Sequence, residues 1–243
     1  KRRIVVIHGF LGLPSDWTRL EWGKDVQVEA IDLWQWIKNN ASPFQCSSED
    51  NAFDFFAQSF LRTLEIDENP VKPLLVGYSL GGRLAMHILL MAPSRFVQAV
   101  FISAHPGLAE VDEQLRKQRR DNDANWANKF CSSQWHEVVD EWNSQEVLAS
   151  SVASETHLPR DEADFDRLTL SWALTNWSLG LQRVLRKELQ SVSVPIHWIC
   201  GERDQKFTKV LSEIDKPATQ RLSIVSGAGH RVPWDNPQTI VKL

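Results

Sequence analysis

The 243-residue chain contains only three cysteines and lacks several features that identify other protein classes. Cys46, Cys131 and Cys200 are far apart, which argues against a disulfide framework and favours a reducing compartment, here the cytoplasm. No apolar run approaches the roughly 20 residues of a membrane span, and no signal peptide is visible. There is no metal-ligand spacing and no G-x-G-x-x-G turn, so we expect neither a metal nor another cofactor.

Charge and composition further narrow the possible classes of protein and partner. The formal net charge is −4, which gives no reason to expect a nucleic-acid or anionic-membrane partner. Apolar residues make up 42% and charged residues 24%, as in ordinary globular domains. Eleven tryptophans against one tyrosine point to aromatic packing and pocket lining. The length suits one α/β domain with an insertion, or two small domains.

Short β-branched runs alternate with helical patterns along much of the chain. Such alternation predicts a mostly parallel, doubly wound sheet. Ala52–Leu64 has apolar residues at helical spacing, whereas the aromatic and Asn-rich stretch Trp34–Cys46 is predicted to be a loop. The predicted strands are Ile4–Ile7, Val26–Ile31, Leu74–Val76, Phe96–Ser103, Val194–Cys200 and Arg221–Val225.

One long segment lacks strand-like runs and is rich in tryptophan and charge. It predicts amphipathic helices over Glu110–Cys131, Trp135–Ser150 and Asp161–Leu174. We therefore expect an α/β core made of residues 1–106 and 181–243, with a helical cap inserted at residues 107–180.

The pentapeptide Gly77-Tyr78-Ser79-Leu80-Gly81 follows a buried strand and precedes a helical pattern. Strand, tight turn and helix are the context of a nucleophile elbow, which presents a serine hydroxyl above the edge of a sheet. The amide of Leu80, at the start of the helix, can then face a developing oxyanion. The alternative is a glycine-rich turn with an incidental serine.

Two later loops supply an acid and a base for Ser79. Asp204 follows one predicted strand and His230 follows the last, in the order Ser, acid, His that α/β-hydrolases share. Glu202 is a rival acid, but it is expected to cap the turn. For Asp204 or His230 taken alone, the alternative is a solvated loop side chain without a catalytic role. After the first strand, the amide of Phe10 stands where a second oxyanion donor is expected, and His8 is expected to be structural.

Arginines stand near the predicted serine and in the predicted cap. Arg83 lies four residues after Ser79, and Arg119 belongs to the basic run Arg116-Lys117-Gln118-Arg119-Arg120. The interpretation of such a run that requires no function is a solvated helix face. An arginine beside the site, joined by one under the cap, would instead suit a small anionic substrate with several carboxylates.

Several stretches together resemble one family, the 2-succinyl-6-hydroxy-2,4-cyclohexadiene-1-carboxylate synthases of menaquinone biosynthesis. This family belongs to the α/β-hydrolase superfamily. The resemblance covers nearly the whole chain and is carried by Val76–Met86, His105–Leu108, the cap motif Arg119-Arg120-x-x-Asp123 with Trp126, Cys200–Phe207 and Ala228–His230.

The resemblance implies an α/β-hydrolase fold whose triad performs an elimination instead of a hydrolysis. The substrate would be 2-succinyl-5-enolpyruvyl-6-hydroxy-3-cyclohexene-1-carboxylate, which loses pyruvate. Ser79 would act as the base, tuned by His230 and Asp204. The amides of Phe10 and Leu80 would hold the developing enolate oxygen.

By the same resemblance, Tyr78, Arg83, Arg119 and Trp142 would bind the substrate carboxylates and line the pocket. At two places the sequence departs from the family pattern, and these departures bear on which substrate the chain would bind. Leu33-Trp34-Gln35-Trp36 stands in place of the Gly-His-Gly usual in the family, and Trp172-Ala173 stands about where a further cap arginine is expected.

Two other functions fit the same residues. One is a serine carboxylesterase or thioesterase-like hydrolase that uses Ser79 as a covalent nucleophile. The other is a non-catalytic binding module on the same fold, which a full triad disfavours.

Overall fold

The computed structural model describes residues 1–40, 51–64, 71–109, 112–149 and 158–243. Its centre is a six-stranded sheet in which every pairing is parallel and the strand order is β2-β1-β3-β4-β5-β6. The predicted α/β class and parallel sheet are therefore confirmed. The strands are β1 (Arg2–Ile7), β2 (Val26–Ile31), β3 (Leu74–Tyr78), β4 (Gln98–Ile102), β5 (Ile196–Gly201) and β6 (Gln220–Val225).

Helices connect the strands and cover the sheet. Two short 3₁₀ turns, Pro93–Arg95 and Glu162–Asp164, complete the regular structure of the described residues. The helices are α1 (Pro14–Thr18), α2 (Leu33–Asn40), α3 (Ala52–Thr63), α4 (Leu80–Met91), α5 (Glu113–Ser132), α6 (Trp135–Asn143), α7 (Glu146–Ala149), α8 (Arg167–Asn176), α9 (Arg186–Gln190), α10 (Gln205–Ser212), α11 (Val232–Asp235) and α12 (Pro237–Val241).

Side chains from the two faces of the sheet build two separate cores, because successive residues of a strand point to opposite sides. Val5 of β1 belongs to the core that α2, α3 and α4 cover. Its neighbours Ile4 and Val6 belong to the other core, with Trp17 of α1 and Ile240 of α12. Burial on both faces explains why these strands are continuous apolar runs.

The strand order places one pair of strand ends at the centre of the molecule. From β1 the chain moves outward to β2 and then returns to β3 on the other side of β1. In open parallel sheets, ligands bind at such a reversal, outside the carboxyl ends of the strands. His8–Phe10 follow β1 and Ser79 follows β3, so the predicted site residues meet at this point.

The prediction of a loop over Trp34–Cys46 is wrong for its first part, since residues 33–40 form α2. The Asp32 carboxylate starts this helix by accepting from the amides of Trp34 and Gln35, each at 3.0 Å. Buried Leu33 and Ile37 then lie one turn apart on the core face. Residues 41–46 lie outside the described residues.

Between β4 and β5, the described residues form helices and no strand. Within this segment, the single helix predicted over Trp135–Ser150 is two helices, α6 and α7, because Ser144 ends the first. The helix predicted from Asp161 begins at Arg167, where Asp166 accepts from the Leu168 amide at 2.8 Å and caps it. The division into core and cap at residues 106/107 and 180/181 stays a prediction. Of the helices described, none combines the length and apolar character needed to cross a membrane.

Candidate active site

Ser79 occupies a strained turn between β3 and α4. Its φ angle is 51°, in the left-handed region that costs energy for residues other than glycine. The Ser79 amide donates to the carbonyl of Ile102 at 2.8 Å, which ties the turn to β4. A Cβ on Gly81 would lie 2.2 Å from the carbonyl oxygen of Ile7, so α4 reaches the end of β1 only because glycine stands there. This is the strand–turn–helix arrangement predicted from the pentapeptide.

A chain of hydrogen bonds joins Ser79, His230 and Asp204. The distance from His230 Nε2 to Ser79 Oγ is 3.1 Å, and that from His230 Nδ1 to Asp204 Oδ2 is 2.6 Å. The Asp204 carboxylate accepts a hydrogen bond from Nδ1–H of His230, which leaves Nε2 to accept from the serine hydroxyl. Asp204 also caps α10 through Oδ1, which accepts from the Phe207 amide at 3.3 Å. Both members of this Asp–His pair are buried, so the pair is shielded from water.

The rival carboxylate, Glu202, lies away from this chain of hydrogen bonds. Its Oε2 accepts from the Gly227 amide at 2.9 Å and from the Ser226 hydroxyl at 3.0 Å. These two hydrogen bonds lower the pKa of the exposed Glu202 carboxyl. Glu202 therefore supports the loop that carries His230, and the structure brings only Asp204 to the imidazole.

The two amides predicted as oxyanion donors both lie beside Ser79. Phe10 and Leu80 line the same cavity as the Ser79 hydroxyl. Among the described residues, no hydrogen bond uses the amide of either residue. Unpaired backbone donors at a polar cavity are suited to an anionic oxygen.

His8 lies directly before these amides and has a structural position. Its Nε2 accepts from the Leu33 amide at 3.1 Å, and its Nδ1 lies 2.8 Å from the Gly9 carbonyl. Burial lowers its pKa from 6.5 to about 4, so the ring is neutral near pH 7. The neutral ring connects the loop after β1 to the start of α2.

We expect the stability of the protein to fall as the pH drops from about 6.5 to about 4. In that range the unfolded chain protonates His8 and the folded chain does not, so protons favour unfolding. A lowering from 6.5 to about 4 corresponds to about 3 kcal/mol. Urea unfolding of wild type and His8→Gln at about pH 7 and about pH 4.5 tests this expectation. The variant should lose less stability over the interval, and equal losses in both proteins would contradict it.

A cavity of about 280 Å³ lies over Ser79, and the helices between β4 and β5 supply part of its wall. The walls mix aromatic rings with charged groups, as expected of a small-molecule site. Within the described ranges, no group of three or more His, Cys, Asp or Glu side chains is placed to hold a metal ion. The lining side chains include Phe10, Ser79, Arg83, Arg119, Asp123, Trp126, Trp142, Lys206 and Phe207.

Arg83 enters this cavity from α4 and is buried. Its Nη1 donates to the Trp177 carbonyl at 2.8 Å, and its guanidinium lies 5.4 Å from the centre of the Phe53 ring. Burial, followed by repulsion from Arg119, lowers its pKa from 12.5 to about 9. The group is still cationic at pH 7, so the cavity contains a buried positive charge.

Arg119 lies on α5, where a buried carboxylate orients it. Its Nε donates to Asp123 Oδ2 at 2.8 Å, and the same oxygen accepts from the Ser178 hydroxyl at 2.7 Å. Because this ion pair uses only Nε, the terminal nitrogens of the guanidinium stay available to a ligand. Lys117, in the same basic run, instead pairs with Asp121 in solvent.

The two predicted aromatic binding residues differ in position. Trp142 lines the main cavity and packs on Phe10, with ring centres 4.6 Å apart. Tyr78 does not line the main cavity; it borders a smaller one of about 70 Å³ and packs on Trp234. A role for Tyr78 in substrate binding is therefore confined to this second cavity, which also reaches Ser79.

Sequence reasoning missed several wall residues. Trp126 stands in the cap motif quoted above, and Lys206 and Phe207 stand in the loop that carries Asp204. The motifs were noticed in the sequence, but no role was predicted for these three residues. Where a further cap arginine was expected on α8, Ala173 lines the cavity and no cation stands there. Arg160 precedes α8 but borders the smaller cavity, where both terminal nitrogens bond to Asp16.

Known proteins resemble this chain in both sequence and fold. The model of the alpha/beta hydrolase family matches residues 4–243. The 2-succinyl-6-hydroxy-2,4-cyclohexadiene-1-carboxylate synthase of Klebsiella pneumoniae is 31% identical over 98% of this chain and 90% of its own length. That of Citrobacter koseri is 33% identical with the same coverage. The solved structure of MenH from S. aureus has the same fold, with a TM-score of 0.81 at 21% identity over 99% of this chain and 91% of that one. The chain therefore belongs to the α/β-hydrolase family and, within it, to the 2-succinyl-6-hydroxy-2,4-cyclohexadiene-1-carboxylate synthases.

Proposed function

We propose that this chain uses Ser79, His230 and Asp204 to perform the reaction of its family in menaquinone biosynthesis. In that reaction, pyruvate is eliminated from 2-succinyl-5-enolpyruvyl-6-hydroxy-3-cyclohexene-1-carboxylate. The observation that carries the proposal is a hydrogen-bonded Ser-His-Asp chain facing a cavity with buried and partly buried cations. The substrate is a tricarboxylate, and fixed cations are what such a molecule needs when it leaves water.

The proton at ring carbon 2, next to the succinyl carbonyl, is the one removed. Ser79 Oγ takes it while the hydroxyl proton passes to His230 Nε2, and Asp204 stabilises the resulting imidazolium. The electron pair rests briefly on the carbonyl oxygen, where the amides of Phe10 and Leu80 donate hydrogen bonds.

Collapse of this enolate completes the elimination. The electron pair of the enolate forms the C2=C3 double bond, and the π electrons of the former C3=C4 bond move to form C4=C5. The C5–O bond then breaks, and its electrons stay on the oxygen. His230 returns its proton to the leaving enolpyruvate, which becomes pyruvate. Atoms and charge balance without an oxidant, a reductant or a metal ion.

The helices between β4 and β5 act as the cap in this proposal, because they supply Arg119, Trp126 and Trp142 to the cavity wall. Arg83 and Arg119 hold carboxylates of the substrate, and Trp142 packs against its ring. A cytoplasmic location, which the cysteine pattern favours, is part of the same proposal.

The purified chain should release pyruvate from the enolpyruvyl substrate in excess EDTA, with no cofactor added. Lactate dehydrogenase and NADH measure the pyruvate, and ultraviolet absorbance follows the conjugated diene that forms with it. NADH should be oxidised at the same rate at which the diene forms. A protein that needs an added divalent metal, or that forms neither product, would contradict the proposal.

A further inference from the structure

Lys206 is a third cation on the wall of the main cavity. It lies in the first turn of α10, two residues beyond Asp204, and it lines the cavity together with Arg83 and Arg119. Within the described parts of the chain, its amine has neither a hydrogen bond nor an ion pair. An unpaired amine at a cavity that binds carboxylates is free to receive one.

Most of the charged groups near Lys206 already have partners. Desolvation at the cavity wall, followed by repulsion from Arg119, lowers the pKa of the Lys206 amine although its side chain is exposed, while Asp204, Asp123 and Glu146 act in the opposite direction. Two of these carboxylates already have partners, since Asp123 bonds to Arg119 and Asp204 bonds to the imidazole of the triad. A bound carboxylate would relieve the repulsion between the two cations.

Lys206 also borders a third cavity, of about 570 Å³, which is called the outer cavity below. Three residues line both cavities, namely Lys206, Gln145 and Val147, and they form the boundary between the two spaces. Arg83 and Arg119 line only the main cavity. Of these three cations, only Lys206 therefore faces the outer space as well as the space over Ser79.

We propose that Lys206 binds the carboxylate of the leaving enolpyruvyl group and that pyruvate departs through the outer cavity. This rests on the proposed function. The substrate carries three carboxylates, two of which stay on the ring product while the third leaves with pyruvate. The departing group must face an exit. The outer cavity is lined by Arg203 as well as Lys206, but only Lys206 also lines the main cavity, where the C5–O bond breaks. When the C5–O bond breaks, its electron pair adds negative charge to the leaving group, and the nearby ammonium stabilises that charge.

The test compares Lys206→Gln with Lys209→Gln, a matched control on the same helix whose exposed side chain lines neither cavity. We expect Lys206→Gln to raise the KM for the substrate and the inhibition constant of pyruvate by about 10-fold each, the effect of losing one partly screened charge-assisted hydrogen bond. Inhibition by the cyclohexadiene product should change by less than about twofold. Lys206→Arg should restore most of the affinity, and thermal unfolding checks that each variant is folded.

The outcomes separate this inference from the function on which it rests. A wild-type chain that releases no pyruvate would refute the proposed function together with the Lys206 assignment. Wild-type turnover combined with an unchanged KM and unchanged pyruvate inhibition in Lys206→Gln would refute the assignment alone. Weaker inhibition by the cyclohexadiene, with pyruvate inhibition intact, would also overturn it, since Lys206 would then hold a carboxylate that stays on the ring.

Discussion

Alanine in place of Ser79 is expected to lower the rate constant for pyruvate release by about 10³-fold or more, by analogy with other triads. The hydroxyl lies 3.1 Å from His230 Nε2, and in the proposed mechanism its oxygen accepts the ring proton. The cations of the cavity stay in place in this variant, so the KM should change little. Pre-steady-state and steady-state pyruvate release measure the loss, and Ser94→Ala, an exposed serine outside the cavity, is the control.

The acid is tested by two carboxylates of one loop. Asp204→Asn removes the charge 2.6 Å from His230 Nδ1 and should cause a loss comparable to that of Ser79→Ala. Glu202→Gln changes a carboxylate that bonds only to the neighbouring loop and should cost less than about tenfold. Near-normal turnover in a folded Ser79→Ala protein would remove the serine from the mechanism. The reverse order of losses at Asp204 and Glu202 would reassign the acid.

The positions of the three residues proposed as a triad could be predicted because each residue follows the end of a strand. Ser79, Asp204 and His230 follow β3, β5 and β6, and the carboxyl ends of parallel strands lie at one edge of a sheet. Motif order then assigned the roles. The sequence could not exclude Glu202, which is two residues from Asp204, because only the folded loop directs one carboxylate to the imidazole and the other to the Gly227 amide.

The walls of the cavity were harder to predict. They combine residues from α4, α5, α6, α7, α8 and α10, and the packing of helices against a sheet edge has no short sequence signal. Tyr78 precedes the serine, but alternation along β3 turns its ring toward Trp234 and away from the main cavity. Lys206 stands in a motif that was recognised as specific, yet its place between two cavities follows only from the position of α7 beside α10.

The helix α2 shows a different limit of sequence-based prediction, which concerns secondary structure. Its tryptophans and asparagines suggested irregular structure, but the Asp32 cap and the one-turn spacing of Leu33 and Ile37 decided the outcome. Trp34 then donates to the Gly12 carbonyl at 2.7 Å, so α2 supports the loop that carries the Phe10 amide. In this chain a helix thus occupies the stretch where the sequence departs from the Gly-His-Gly usual in the family.

Removing Arg83 or Arg119 should separate a lyase for a polyanion from an esterase for neutral substrates. Each arginine is expected to contribute a charge-assisted hydrogen bond of roughly 1.5–3 kcal/mol, so each alanine variant should lose about 10- to 150-fold in kcat/KM for pyruvate release. The loss at Arg83 should be the larger of the two, because its guanidinium is buried and less screened by water. Lys117→Ala, which removes a solvent-exposed cation from the same helix as Arg119, is the matched control.

The same variants are assayed in parallel for hydrolysis of p-nitrophenyl esters. Lyase chemistry predicts feeble ester cleavage in the wild type and a large loss of pyruvate release in both arginine variants, with the control unchanged. Arg83→Met, which keeps much of the buried apolar contact with Phe53, distinguishes lost charge from lost packing and should be as impaired as Arg83→Ala. Efficient ester turnover that ignores both arginines, with no pyruvate formed, would assign the Ser79 hydroxyl to a hydrolase, because a neutral ester gives the buried guanidinium of Arg83 no anion to bind.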